Sequence, residues 1–208
     1  MLMSRRHKFI FIHIFKNAGT SIKKALSPYA ATNFEKRANP ILKKIGISCY
    51  DPNRYPAHIK APELMNLMGK DRYRSFFTFA VVRNPWDWLV SLYTFMRKDR
   101  NHFQHDLAMN FKDFDDYISW RCSEDTPFQS DFVFSSDNIK VVDYIATYEQ
   151  LDQEIDYICS KTGLPKITLP KLNVSKSIPY QEYYNKKTIE LVRATYKRDI
   201  ELFEYDFH

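Results

Sequence analysis

No stretch of this sequence approaches the roughly 18 uninterrupted apolar residues of a membrane-spanning helix, so a cytoplasmic protein is expected. Basic residues ahead of the apolar run 9–15 give the N-terminus a superficial likeness to a signal peptide. That run is short, however, and ends in Lys16-Asn17 rather than in a small-residue cleavage site. Cysteine is scarce: Cys49, Cys122 and Cys159 are odd in number, far apart and free of any C-x-x-C pair. Neither a disulfide framework nor a zinc site is suggested, and reduced, buried thiols are expected. Internal repeats, low-complexity segments and a cluster of acids suited to Mg²⁺ are absent too. Basic blocks are limited to Arg5-Arg6-His7-Lys8, so the net charge of +6 suits anionic ligands without implying nucleic acid.

A chain of 208 residues is long enough for one sizeable core and short for two, which predicts a single domain over residues 1–208. Its 16 Phe, 14 Tyr and 3 Trp give it the apolar mass to fold. The organising stretch is residues 9–26. Residues 9–15, FIFIHIF, are aromatic and β-branched and barely alternate, the pattern of a strand buried on both faces. Lys16-Asn17-Ala18-Gly19-Thr20-Ser21 then supplies a glycine for close backbone approach, N–H groups at a helix N-terminus, two hydroxyls and one ammonium. These are the requirements of a phosphate or sulfate. The loop is not G-x-x-x-x-G-K-[ST], because it has one glycine and its lysine comes first, which counts against a kinase or NTPase. Taken alone, the stretch is also compatible with an ordinary strand-to-helix turn whose lysine is merely solvated.

A second strand, residues 76–82, runs directly into Arg83-Asn84-Pro85-Trp86-Asp87. Asn84 suits an N-cap, Pro85 the first helical position and Asp87 the first turn, which predicts a helix over 85–97. Strand followed by helix, twice, predicts an α/β fold with a central parallel sheet flanked by helices and ligands outside the carboxyl ends of its strands. Arg83 at such a strand tip, with Ser91 two turns into the helix, can hold one anionic group, the arginine bidentately. Taken alone, an arginine paired with an acid and an exposed serine is the better reading of those two. The two loops together shift it.

Elsewhere, the first helix meets Pro28, and residues 28–57 carry four prolines and form an irregular excursion. Residues 61–68 read as a short helix with Pro62 in its first turn and Gly69 as its stop. A helix is expected over 111–120, a strand over 139–148, a helix over 149–161 ended by Gly163, and a last helix over 185–203. Residues 164–180 are expected to be mostly loop.

These stretches resemble a known family. The loop 15–21 is similar to the 5′-phosphosulfate-binding loop of the sulfotransferases, and Val82-Arg-Asn-Pro-Trp-Asp-Trp-Leu-Val-Ser-Leu-Tyr93 to their 3′-phosphate-binding strand and helix. The resemblance is to the carbohydrate branch that includes heparan sulfate 2-O-sulfotransferase, in a bacterial or phage-type form. Tyr55-Pro-Ala-His-Ile-Lys-Ala61 resembles its segment with a catalytic histidine, and residues 199–207 its usual ending. The resemblance implies a P-loop-like sulfotransferase fold and the donor 3′-phosphoadenosine 5′-phosphosulfate (PAPS), with 3′-phosphoadenosine 5′-phosphate (PAP) as product and no metal. It implies Lys16, Asn17, Ala18, Gly19, Thr20 and Ser21 around the 5′-phosphosulfate, Arg83 and Ser91 on the 3′-phosphate, and a donor-covering loop with Lys171, Asn173 and Ser175. It implies catalytic roles for Lys16 and His58, and as acceptor a hydroxyl of a carbohydrate, glycolipid or similar molecule. Phe15 and Asn17 depart from the Pro-Lys-hydroxyl pattern of that branch, and Pro56 stands where the heparan-type enzymes place a second histidine. The family's eukaryotic Golgi anchor has no counterpart here.

Two other classes stay open: a P-loop-like kinase, which needs Mg²⁺, and a non-catalytic module that keeps the nucleotide crevice. Acceptor choice is expected to lie in the irregular parts, 28–57, 98–136 and 164–182. Among the six histidines, His58 sits in an irregular segment before a helix, whereas His13 reads as a satisfied core histidine. Glu63 and His13 are the next candidates for a base.

Overall fold

Strands β1 (Leu2–Ser4), β2 (Phe9–Ile12), β3 (Phe77–Val82) and β4 (Tyr144–Thr147) lie in that order in one sheet. β2, β3 and β4 run parallel, with Phe9 opposite Phe77 and Val82 opposite Thr147, while β1 pairs antiparallel along the β2 edge. The computed structural model describes residues 1–31, 55–124, 128–170 and 178–208. The chain divides into two compact units, one of Met1–Val82 with Asp131–Leu172 and one of Arg83–Ser130 with Asn173–His208.

The first unit holds the whole sheet. Every residue of β2 is buried, so its continuous apolar run is that of a strand covered on both faces. On one face Phe9, Phe11, Phe79 and Val81 form a core with Ile22 and Leu26 of α1 (Gly19–Ala30) and with Ile155 and Ile158 of α7 (Leu151–Thr162). Full burial of each such side chain stabilises the fold by about 1.5–3 kcal/mol. The Asp143 carboxylate accepts from the Thr78 N–H at 2.7 Å and the Thr78 hydroxyl at 2.8 Å, which fixes the approach to β4 beside β3. α7 stops where expected, at Gly163 with φ 64°, and Leu164 N–H closes the cap on the Cys159 carbonyl.

Several boundaries differ from expectation, among them the strand expected over 9–15, which stops at Ile12. Pro28 does not end α1, because in place of the N–H that proline lacks the Ser27 hydroxyl donates to the Lys24 carbonyl. The expected strand over 139–148 narrows to Tyr144–Thr147, with a single bridge from Lys140 to Phe134. α2 (Ala61–Met68) matches its predicted bounds, but past Gly69, at φ 84°, the chain turns into another short helix, α3 (Lys70–Arg74).

The second unit is helical: α4 (Pro85–Lys98), α5 (His105–Asn110), α6 (Phe114–Ser123), α8 (Lys186–Thr195) and α9 (Lys197–Phe203). Asn84 caps α4, its side chain accepting from Trp86 N–H at 3.1 Å, as its sequence position predicts. α8 and α9 are two helices rather than the single one expected over 185–203, because Tyr196 leaves helical geometry at φ −98°, ψ 22°. Trp88 packs edge-on against the fully buried Tyr196. The completely buried Asp199 accepts from the N–H groups of Gln129 at 2.8 Å and Ser130 at 2.9 Å. Its carboxylate is thus satisfied where an unpaired buried charge would be costly. Cys122, which is half-buried, and the buried Cys159 are free thiols; Cys49 lies outside the described residues. Among the described residues no helix is long and apolar enough to cross a membrane.

Candidate functional site

The loop between β2 and α1 is built by backbone strain that an anion site can use. Lys16 and Ala18 adopt the left-handed region at φ 64° and 54°, although neither is glycine. Such a conformation costs a residue with a side chain about 1–2 kcal/mol, and strain of this kind clusters at functional sites. The first intrahelical bond of α1 runs from Ile22 N–H to the Ala18 carbonyl, so the N–H groups of Gly19, Thr20 and Ser21 have no acceptor within the helix. No acidic residue lies in the first turn, and Ala18 gives no side-chain cap. The positive end of the helix is therefore neither capped by a side chain nor offset by a first-turn carboxylate. Thr20 is exposed and Ser21 buried. Asn17, at 1% exposure, donates from Nδ2 to the Val81 carbonyl at 2.8 Å, which staples the loop to the carboxyl end of β3.

Gly19 is required by His13. A Cβ on Gly19 would fall inside the His13 imidazole. Gly19→Ala is expected to lower stability by about 1–3 kcal/mol, the usual cost of overpacking, read as a shift in urea midpoint. An unchanged midpoint would contradict this contact.

His13 is not the satisfied core histidine its strand position predicts. Its Nδ1 is buried without a hydrogen-bond partner among the described residues, and its ring lies 4.3 Å from that of His58 and 5.8 Å from that of Phe11. Burial, with the charges of His58 and others added, lowers its pKa to about 3. His58 occupies the turn before α2, where Ile59 N–H bonds the Pro56 carbonyl. It does not cap α2, whose N-cap is Lys60. Instead its Nδ1 lies 2.8 Å from the His13 carbonyl. A carbonyl only accepts, so Nδ1 carries the proton and the neutral ring presents its lone pair at Nε2. Burial lowers the His58 pKa, partly opposed by that hydrogen bond, so the ring is neutral at neutral pH. Phe15 packs edge-on to His58 at 5.9 Å and to Phe132 at 6.0 Å. The structure thus brings the loop, His13 and His58 together in the first unit. His13 was legible as a histidine, but its contact with Gly19 left no mark in the local sequence.

Arg83 and Ser91 belong to the second unit. Arg83 donates from Nε to the Asp87 carboxylate at 2.7 Å, and its backbone N–H and carbonyl are held by the Gln129 side chain at 3.0 and 2.8 Å. The pairing with an acid, foreseen as the simpler reading, is therefore present. Asp87 and the half-buried Ser91 are four residues apart on α4 and share the face nearest Arg83. Lys171, Asn173 and Ser175 lie outside the described residues. Among the described residues, no group of three or more His, Cys, Asp or Glu could hold a metal ion.

A protein of unassigned function from Archaeoglobus fulgidus is 26% identical to this chain over 120 residues, which is 57% of this chain and 94% of the archaeal one. The crystal structure of a sulfotransferase from Alicyclobacillus acidocaldarius aligns with 99% of this chain and 97% of its own at 10% identity, with a TM-score of 0.30. The model of the sulfotransferase family matches residues 1–206, through both anion-directed stretches and nearly to the last residue, and the chain belongs to that family.

Proposed function

We propose that residues 1–208 act as one PAPS-dependent sulfotransferase of the carbohydrate branch, in a bacterial or phage-type form. It moves a sulfuryl group to a hydroxyl of a carbohydrate, glycolipid or similar acceptor. The observation that carries this reading is the start of α1, where three N–H groups and no first-turn acid follow two left-handed residues, in a chain of the sulfotransferase family. PAPS supplies an activated sulfuryl group on a phosphate leaving group. Lys16 and the N–H groups of Gly19, Thr20 and Ser21 neutralise charge on the departing phosphate oxygen, while Ala18 shapes the loop and Asn17 anchors it. His58 Nε2 takes the proton of the acceptor hydroxyl as its oxygen bonds sulfur and the bond from sulfur to the phosphate oxygen breaks. Arg83 and Ser91 are assigned to the 3′-phosphate, and Lys171, Asn173 and Ser175 to a donor-covering loop, on the family resemblance.

The test is mass spectrometry of saccharide and glycolipid pools incubated with the protein and PAPS or ATP, with and without chelator, alongside nucleotide binding by calorimetry. A sulfate adduct that survives chelation is expected. Nucleotide binding without any adduct would favour the non-catalytic module, and chelator-sensitive transfer from ATP the kinase.

Nucleotide choice gives a separate check. PAP is expected to bind at least about a hundredfold more tightly than AMP, since a bidentate arginine contact to a phosphate is among the strong hydrogen bonds. Arg83→Ala is expected to remove that preference. Equal affinities for PAP and AMP in wild-type calorimetry would withdraw the assignment of Arg83 and Ser91.

A further inference from the structure

His13 directly follows β2 and meets both the anion loop and the histidine in the turn before α2. The Nε2 and Cδ2 edge of its ring lies against Gly19, where a Cβ would overlap both atoms. The centre of the same ring is 4.3 Å from that of His58, with the planes inclined at 39°. Phe11, itself buried, backs the ring at 5.8 Å and 28°. The His13 Nδ1 has no hydrogen-bond partner among the described residues, so the ring holds its neighbours by packing.

One residue thereby holds His58 at two points. The His13 carbonyl accepts from His58 Nδ1 at 2.8 Å, which fixes the proton but leaves the ring free to swing about that bond. The last torsion of a histidine side chain is broad and gives the ring little direction of its own. The His13 ring, together with Phe15 set edge-on at 5.9 Å, removes that freedom. The charged groups facing His58 are the Met1 amine ahead of β1 and Lys23 on α1, with His13 itself at the end of β2. Both of the first two are cations and oppose a proton on His58.

We propose that His13 is a positioning residue of the transfer: wedged between Gly19 and His58, its ring sets where His58 Nε2 points relative to the start of α1. Sulfuryl transfer needs the acceptor oxygen, the sulfur and the leaving oxygen in line, and the base must reach the acceptor proton in that geometry. The loop holds the donor and His58 takes the proton, so the distance and angle between these two elements decide the rate. His13 touches both. A misplaced base costs rate far more than donor binding, because the loop keeps its own anchor, the Asn17 amide on the Val81 carbonyl at 2.8 Å. This role deepens the sulfotransferase reading and rests on His58 as its base.

Two measurements on the full chain test it. The rate of sulfate transfer from PAPS to the saccharide pool, followed as PAP release, is expected to fall about tenfold or more in His13→Ala, with PAP affinity by calorimetry changing less. His13→Phe, which restores a ring against Gly19 and His58, is expected to keep the wild-type rate. The second measurement is an NMR titration of histidine-labelled protein without acceptor, in which His58 is identified by its absence from the His58→Ala spectrum. His58 is expected to titrate below about 6.5 in wild type and in His13→Phe, and closer to that value in His13→Ala, where the covering ring is gone. His13→Val, which suits the strand end but is too short to cover His58, gives the same two readings if His13→Ala fails to fold. An unchanged rate or an unchanged His58 titration in His13→Ala and His13→Val, or an equal loss of rate in His13→Phe, would each overturn the proposal. If the wild type transfers no sulfate at all, the titration still decides, so the enzymatic reading can fail while the placement of His58 by His13 stands.

Discussion

Lys16→Ala is expected to lower kcat by about 10²–10³-fold, the usual cost of deleting one preorganised group that meets developing charge. The expectation rests on where the ammonium's work falls in time. The donor is anionic before reaction, but negative charge concentrates on the phosphate oxygen only as its bond to sulfur stretches. An interaction that strengthens in the transition state shows in kcat, whereas one equally strong in the ground state shows in binding alone. Donor affinity measured by calorimetry is therefore expected to fall by less than kcat. Because Lys16 sits at φ 64°, alanine keeps the strained backbone, and Lys16→Gly relieves it while also removing the ammonium. Equal loss of kcat in the two variants assigns the effect to the ammonium. A loss confined to donor affinity would reduce Lys16 to a binding residue.

The parts of the site legible in the sequence are those where local chemistry dictates local structure. The apolar run of β2, whose strand stops at Ile12 rather than Phe15, and the Asn84-Pro85 start of α4 each carry their signal within a few residues, and a strand and a helix form there. α2 does too, bounded by Pro62 and Gly69. What was hidden depends on residues far apart in the chain. The left-handed Ala18 has no sequence signature, since alanine gains nothing from that conformation, and is held by the strand before it and the helix after it. Asn17, expected among the anion ligands, spends its side-chain amide on Val81, 64 residues away. The break at Tyr196 was invisible because the apolar spacing of 189, 192, 196, 200 and 203 runs through it without interruption. The three-residue β1 is too short for any periodicity to announce it.

His58→Ala is expected to cut kcat by about 10²–10⁴-fold with donor affinity nearly unchanged, the range for removal of a general base. Three observations bear on this. The Nδ1 contact with the His13 carbonyl at 2.8 Å fixes the tautomer that leaves Nε2 as the basic atom. The residue is exposed while the inner side of its ring is desolvated against His13 and Phe15, so an acceptor hydroxyl can approach it from the open side. Its pKa is lowered, first by burial, and the charges facing it, the Met1 amine and Lys23 on α1, act in the same sense. The sign follows directly: a base with a lowered pKa keeps its lone pair below the ordinary histidine value of about 6.5, so activity falls only when the pH drops under that value. The acidic limb of the wild-type kcat/KM profile is thus expected below pH of about 6.5, and it should vanish in the residual activity of His58→Ala. His13 is a competing source of that limb, but with a pKa near 3 it titrates far below it. His13→Phe separates the two, because it keeps a ring against Gly19 and His58 and removes the second imidazole. If His58 is the base, His13→Phe retains both turnover and the limb. Near-normal turnover in His58→Ala would move the base elsewhere, with Glu63 and His13 the next to test.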